Sequence, residues 1–112
     1  MKLPGADKAI VGREKIMDYL LNAAHLDNGG KAEFFAQLGF RRDQWEILAA
    51  ALRNLAASGE VTCAAESPHG RKHVIVGRIQ SPSGKTPLVR SIWIVDKGAD
   101  AVRLVTAYPH KA

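Results

Sequence analysis

The segment that decides the fold is LVRSIWIV, residues 88–95, which is rich in β-branched and aromatic residues. Such residues favour extended structure, so this segment is predicted to be the strongest strand of the chain. Short links rich in Ser, Pro, Gly and Asp separate it from its neighbours. Links this short join antiparallel strands, which predicts a meander. The other predicted strands are Val61–Ala65, His73–Gln80 and Val102–Tyr108.

The first half of the chain has helical rather than alternating periodicity. Apolar residues three and four apart predict a helix from about Arg13 to Ala24 and a short helix over residues 32–38, closed by Gly39. A third helix is predicted from near Asp43, whose carboxylate is expected to cap it, to Ser58. Helices followed by strands indicate an α+β fold, with three N-terminal helices packed on a C-terminal antiparallel sheet of about four strands.

Length and composition restrict the class of protein. A chain of 112 residues with 46% hydrophobic content fits one globular domain, 1–112, and argues against disorder. No apolar run approaches the ~20 residues that span a bilayer, and no secretory leader is visible. Cys63 is the single cysteine, which excludes an internal disulfide. We therefore expect a small soluble domain in the reducing cytoplasm, without a membrane partner.

The net charge of +5 is concentrated in the second half of the chain. Residues 61–112 hold eight Lys or Arg and three Asp or Glu, whereas the charges of residues 1–60 cancel. A surface of one sign attracts polyanions, although a solvated basic face that maintains solubility is an equally open interpretation. If the partner is a nucleic acid, the binding candidates are Arg71, Lys72, His73, Arg78 and Lys85.

Two residues of the strongest strand differ in their expected roles. Trp93 lies on the face that carries valines and is expected in the core. Arg90 interrupts the other, aliphatic face, where a guanidinium needs an anion. That anion is either a ligand or an internal carboxylate of Asp96, Asp100 or Glu66.

The last strand is expected to carry Val102, Leu104, Thr106 and Tyr108 on one face, because alternate residues of a strand share a face. That face begins apolar and ends with hydroxyls. We therefore interpret it as running from the core into a cleft.

His25 follows the first predicted helix and precedes a Gly-rich turn. An imidazole there either interacts with the helix dipole or acts as a general base, since it titrates near neutral pH. His69 and His73 are four residues apart, but in a turn and strand rather than a helix, so neither a metal nor a cofactor is expected.

Several strings taken together resemble the nuclease domains of bacterial polymorphic toxins. These are the domains at the C-termini of contact-dependent growth-inhibition proteins, and the chain is also similar to small stand-alone relatives of unknown function. The strings are LP (3–4), KIMDYLLN (15–22), His25, GKA (30–32), Phe35, LGF (38–40), SGK (83–85), VRS (89–91), WIV (93–95) and RLVTAY (103–108).

This resemblance implies a barnase/EndoU/colicin/RelE-like fold and a metal-independent endoribonuclease, a toxin that cuts tRNA or other RNA. Attack by the 2′-hydroxyl would leave a 2′,3′-cyclic phosphate. A non-catalytic RNA-binding module, or one that binds an acidic antitoxin or immunity protein, is the alternative. The matching catalytic positions are His25, Lys31, Arg90, Thr106 and Tyr108.

Overall fold

The computed structural model describes residues 2–22, 24 and 30–110. The architecture is α+β, and most of the helical segments precede a four-stranded antiparallel sheet, as predicted. The strands follow one another in sheet order β1-β2-β3-β4, so the expected meander is confirmed. Their bounds are β1 Val61–Ser67, β2 Gly70–Arg78, β3 Leu88–Asp96 and β4 Val102–Pro109.

Three helices carry the first half of the described chain. They are α1 (Arg13–Lys15), which continues as a π-helical turn (Ile16–Leu20), α2 (Lys31–Gln37) and α3 (Trp45–Ser58). Two 3₁₀ turns, Ala6–Lys8 and Arg42–Gln44, accompany them. Within the described ranges no helix has the length and apolar character needed to cross a membrane.

The first helical segment ends at Leu20, four residues before the predicted end. The Leu21 N–H donates to the Ile16 carbonyl at 2.8 Å, which is the wider spacing of a π-helix. The side chain of Asn22 then accepts a hydrogen bond from the Ala24 N–H, which competes with helix continuation. π-helical turns occur often at functional sites, and this one contains Tyr19.

The start of α3 also differs from the prediction. The Asp43 carboxylate does not cap the helix; it accepts two hydrogen bonds from Arg41, at 3.0 and 3.1 Å. Gln44 stands at the N-cap without a side-chain capping bond, and a 3₁₀ turn leads into the helix. The Asp43 carboxylate, which was predicted to accept hydrogen bonds from the helix backbone, therefore binds the Arg41 guanidinium instead.

The hydrophobic core lies between the helices and one face of the sheet. Leu48 and Leu52 of α3 and Ile75 of β2 are completely buried there, together with Trp93, as predicted for the tryptophan. The indole N–H of Trp93 donates to Ser91 Oγ at 2.9 Å, and this hydroxyl donates to the Ile75 carbonyl at 2.9 Å. The side-chain polar atoms of Trp93 and Ser91 are thus paired within the core.

An irregularity in β4 changes which residues share a face. Trp93 of β3 pairs with Leu104, but the preceding residue Ile92 pairs with Thr106. Val105 is therefore an extra residue, a β-bulge, on β4. After Val105 the odd-numbered rather than the even-numbered residues of β4 face the core.

Beyond the bulge, Ala107 continues the buried face opposite Ser91, and Tyr108 lies opposite Arg90. The prediction that one face of β4 carries both the apolar and the hydroxyl residues is therefore wrong. The bulge separates Val102 and Leu104, which are buried, from Thr106 and Tyr108, which are half-buried.

The two halves of β4 also have different neighbours. The N-terminal segment runs beside the first half as an isolated parallel bridge between Ile10 and Arg103. Ile10 donates to the Val102 carbonyl at 2.8 Å and accepts from the Leu104 N–H at 2.9 Å. The second half lies against α2, with Lys31 beside Tyr108. This second half is where the candidate site forms.

Candidate functional site

Hydrogen bonds join the π-helical turn, α2 and β4 at one end of the sheet. The amine of Lys31, the first residue of α2, donates to the Tyr19 hydroxyl at 2.6 Å. The same hydroxyl lies 3.3 Å from Thr106 Oγ1, and either atom of that pair can be the donor. Residues far apart in sequence are thus held together by their polar atoms.

Cations also lie against the aromatic rings of this cluster. Lys31 Nζ is 4.9 Å from the centroid of the Tyr19 ring and 5.8 Å from that of Tyr108. Lys15, which lies in the same helical segment as Tyr19, has its Nζ 5.2 Å from the centroid of the Tyr19 ring. In such cation–π contacts the ring face attracts the ammonium group electrostatically.

Arg90 completes this positive region from the neighbouring strand. It is half-buried and pairs directly with Tyr108 across the sheet, so the two side chains share a face. Among the described residues Arg90 forms no ion pair; Asp96 is bound by Arg103 and Glu66 by Arg71. None of the three carboxylates expected as its internal partner, Asp96, Asp100 and Glu66, therefore pairs with it.

An open cavity of about 380 Å³ adjoins these groups and is lined by Gly30, Lys31, Tyr108 and Pro109. Its volume is within the range of small-molecule sites. Gly30 has φ 85°, which favours glycine, and a Cβ there would meet no atom within 4 Å. Lys31 and Tyr108 thus both line a cavity large enough for a small ligand.

The environment of Tyr19 changes its acidity. Burial alone raises the pKa of the phenol, but hydrogen bonds with Lys31 and Thr106 and the charges of Lys31 and Lys15 act in the opposite direction. The pKa of Tyr19 therefore lies below its ordinary value. The phenolate form is favoured by the two ammonium groups around it.

The structure brings together four of the five predicted catalytic positions: Lys31, Arg90, Thr106 and Tyr108. The fifth, His25, lies outside the described residues. Sequence reasoning gave no role to Tyr19. The available signal was the spacing of Lys15 and Tyr19, which places a cation and a phenol on one helical face.

The predicted nucleic-acid contacts fall into two groups. Arg78 pairs with Leu88, two residues from Arg90, and donates to the Thr86 carbonyl at 2.8 Å. Lys85 is exposed in the adjoining link. Lys72 is exposed on the same face as Arg90, but it pairs with Ile94, four residues or roughly 13 Å along the strand.

The remaining two candidates do not fit a nucleic-acid role equally. Arg71 is exposed but bonded to Glu66 at 2.7 Å, so its charge is already compensated. His73 is only 2% exposed on the core face opposite Trp93, where a polyanion has no access. Its Nδ1 has no hydrogen-bond partner in the described part of the chain, and burial followed by the charge of Arg71 lowers the pKa of the ring.

In residues 2–22, 24 and 30–110, no group of three or more His, Cys, Asp or Glu side chains is arranged to hold a metal ion. The functional groups at the candidate site are amines, a guanidinium and hydroxyls. These groups bind and stabilise anions, phosphate oxygens in particular. The site is therefore suited to a phosphate-bearing ligand.

Comparison with known proteins finds a solved structure of the same fold and a matching family. A solved structure titled "Contact-dependent growth inhibition toxin - immunity protein complex from Klebsiella pneumoniae 342" contains a chain of the same fold. It aligns with a TM-score of 0.73 at 19% identity, covering 90% of this chain and 99% of that one. No curated protein sequence matches significantly. Residues 2–111 match the model of the family described as Domain of unknown function (DUF6883), and the chain belongs to that family.

Proposed function

We propose that this chain is a ribonuclease toxin: a metal-independent endonuclease that cuts tRNA or another RNA by attack of the RNA's own 2′-hydroxyl. The observation that carries the proposal is the meeting of Lys31, Thr106, Tyr108 and Arg90 beside an open cavity. The likeness to a chain in a toxin–immunity complex supports it, as does the net charge of +5. We assign the domain to the barnase/EndoU/colicin/RelE-like group on the same grounds, and its place of action to the cytoplasm.

The reaction needs two proton transfers around one phosphate. The 2′-oxygen loses its proton and bonds to phosphorus, and the 5′-oxygen leaves with a new proton. The products are a 2′,3′-cyclic phosphate and a 5′-hydroxyl. We assign His25 to one of these transfers, because histidine is the side chain most often used as a general acid or base in catalysis.

The other groups act on charge and position. Lys31 and Arg90 offset the negative charge that grows on the phosphorane oxygens. Thr106 and Tyr108 donate hydroxyl hydrogens to those oxygens or orient the ribose. Arg78 and Lys85, at the same end of the sheet, bind the flanking RNA backbone.

The test is cleavage of total tRNA by the purified chain in the presence of EDTA. We expect fragments with 2′,3′-cyclic phosphate ends from the wild-type chain and a loss of about 10²-fold or more in His25→Ala. Lys8→Met is the matched control, since Lys8 is exposed and its side chain has no partner in the described part of the chain. RNA that stays intact over a wide range of protein concentration would contradict the proposal.

A second candidate is a partner-binding module without catalysis. It is favoured by the matched structure, which is a complex between a toxin and its immunity protein. The uneven positive charge of this chain suits an acidic antitoxin or immunity protein, whose association would be steered electrostatically. Co-expression with neighbouring genes and co-purification tests this candidate; a stable complex without RNA cleavage would favour it. RNA binding that weakens steeply with salt, again without cleavage, would instead indicate a non-catalytic RNA-binding module.

A further inference from the structure

Three polar side chains from separate elements form a chain of hydrogen bonds at the candidate site. Lys31 Nζ lies 2.6 Å from Tyr19 Oη, and Tyr19 Oη lies 3.3 Å from Thr106 Oγ1. All three residues are half-buried. The phenol therefore stands between the amine and the threonine hydroxyl.

The chemistry of the three groups determines which of them donates in each hydrogen bond. An ammonium has three donors and no acceptor, so Lys31 donates and the Tyr19 oxygen accepts. The phenol keeps its own hydrogen, which can be donated to Thr106 Oγ1. When Tyr19 donates in this way, the hydroxyl hydrogen of Thr106 must point elsewhere.

We propose that Tyr19 is a positioning residue, which donates to Thr106 so that the threonine hydroxyl donates in turn to a phosphoryl oxygen of the bound RNA. This inference rests on the proposed function, since it assigns the ligand of that same site. Tyr19 itself does not touch the ligand. The contact of Lys31 Nζ with the Tyr19 ring, at 4.9 Å from its centroid, does not need the hydroxyl and is expected to remain in Tyr19→Phe.

Which residue donates in the hydrogen bond between Tyr19 and Thr106 depends on the ionisation of Tyr19. A phenolate has no hydrogen to donate, so Thr106 would then donate to Tyr19 and its hydrogen would turn away from the ligand. Among the described residues, the charged groups that face the phenol are Lys15 from its own segment and Lys31 from α2, and β4 contributes the hydroxyl of Thr106 and the nearby Tyr108. Activity should therefore fall on the alkaline side as Tyr19 ionises, below the ordinary phenol value of about 10.

The experiment is a double-mutant cycle on the rate of tRNA cleavage under single-turnover conditions. We expect Tyr19→Phe to lower the rate by about ten-fold in the wild-type background and by at most about two-fold in Thr106→Val. Thr106→Ser, which keeps the hydroxyl, should retain most of the activity. Equal losses from Tyr19→Phe in both backgrounds would overturn the proposal.

A pH profile separates positioning from a merely structural role. Tyr19→Phe should move the alkaline limb of the wild-type profile to higher pH. Replacement of Tyr19 by 3-fluorotyrosine keeps the ring and hydroxyl but ionises more readily, so the limb should move to lower pH even if Tyr19→Phe fails to fold. A limb that does not respond to 3-fluorotyrosine would overturn the proposal.

Binding of an uncleavable 2′-deoxy oligonucleotide distinguishes this inference from the proposed function. The same coupling between Tyr19→Phe and Thr106→Val in its affinity, without RNA cleavage by the wild type, would support the positioning role and contradict the nuclease. Cleavage without any coupling would overturn the positioning role alone. Absence of both binding and cleavage would overturn both.

Discussion

The two ends of the sheet use positive charge differently. At one end of the sheet β2 begins and β3 ends. There Arg71 donates to Glu66 at 2.7 Å, and Arg103 donates two hydrogen bonds to Asp96, at 2.6 and 2.9 Å. At the opposite end, none of the described carboxylates pairs with Lys31 or Arg90. Hydroxyl groups and aromatic rings surround those cations instead.

This difference separates structural cations from cations available to a ligand. A paired guanidinium in water contributes little to stability and offers little net charge to a polyanion. An unpaired cation beside half-buried hydroxyls keeps its charge for an incoming anion. The predictions that follow test whether the two ends differ in function as they do in pairing.

The largest effect is expected for Lys31→Met at the unpaired end. Removal of the amine takes away a charge next to the phosphate and the donor to Tyr19, so the RNA cleavage rate should fall by about 10²–10³-fold. Lys8→Met serves as the control and should cleave at the wild-type rate. Comparable rates for both variants would place the catalytic charge elsewhere.

Arg90→Gln should have the next largest effect, about 10-fold or more on the cleavage rate, because the guanidinium pairs with none of the described carboxylates and is adjacent to Tyr108. Arg71→Gln removes a similar cation at the paired end and should change the rate by less than about two-fold. The two variants are compared in the same tRNA assay. If Arg71→Gln were the more damaging, the contrast between the two ends would be wrong.

His73, next to Arg71 in β2, should make the fold sensitive to acid. Its pKa is lowered by burial and then by the charge of Arg71, so the folded state disfavours the protonated ring. The unfolded chain binds that proton near pH 6.5, and stability should therefore decline as pH falls below about 6.5 towards the folded pKa. His73→Gln should flatten this fall in Tm, whereas His69→Ala, at an exposed histidine, should retain it.

The smallest effect is expected for Arg103→Gln at the paired end. The pair with Asp96 is exposed, so Tm at neutral pH should fall by no more than about 2 °C. The hydrogen bonds from Arg103 lower the pKa of Asp96, so the pair stabilises the fold above the ordinary carboxyl pKa of about 3.9 and loses this effect as pH falls through the lowered value. Thermal melts of the variant and the wild type should therefore converge in acid.

Local patterns in the sequence were sufficient for most of the architecture. The aliphatic and aromatic run at 88–95 is β3 almost to the residue, and the short links enforce the antiparallel order of the sheet. Gly39 closes the short helix with φ 90°, as its position after Leu38 predicted. These features depend on neighbours in sequence, which the sequence displays directly.

Features set by distant neighbours were not predictable. The bulge at Val105 leaves no trace in an alternating pattern, because the alternation is broken by pairing with β3. Asp43 has the right type for a cap, but a bond to Arg41 is available to it in space. Tyr19 joins the site through Thr106, 87 residues away, and no spacing rule connects the two.

The extra residue Val105 divides β4 into two half-strands that are out of phase. If Val105 instead paired regularly with Ile92, Thr106 would move opposite Ser91 and turn its hydroxyl towards the core, and Ala107 would point outward. The extra residue thus allows one strand to carry core residues on one face and candidate site residues on the other. Positions after 105 on the outward side can change identity without repacking the residues that hold the domain together.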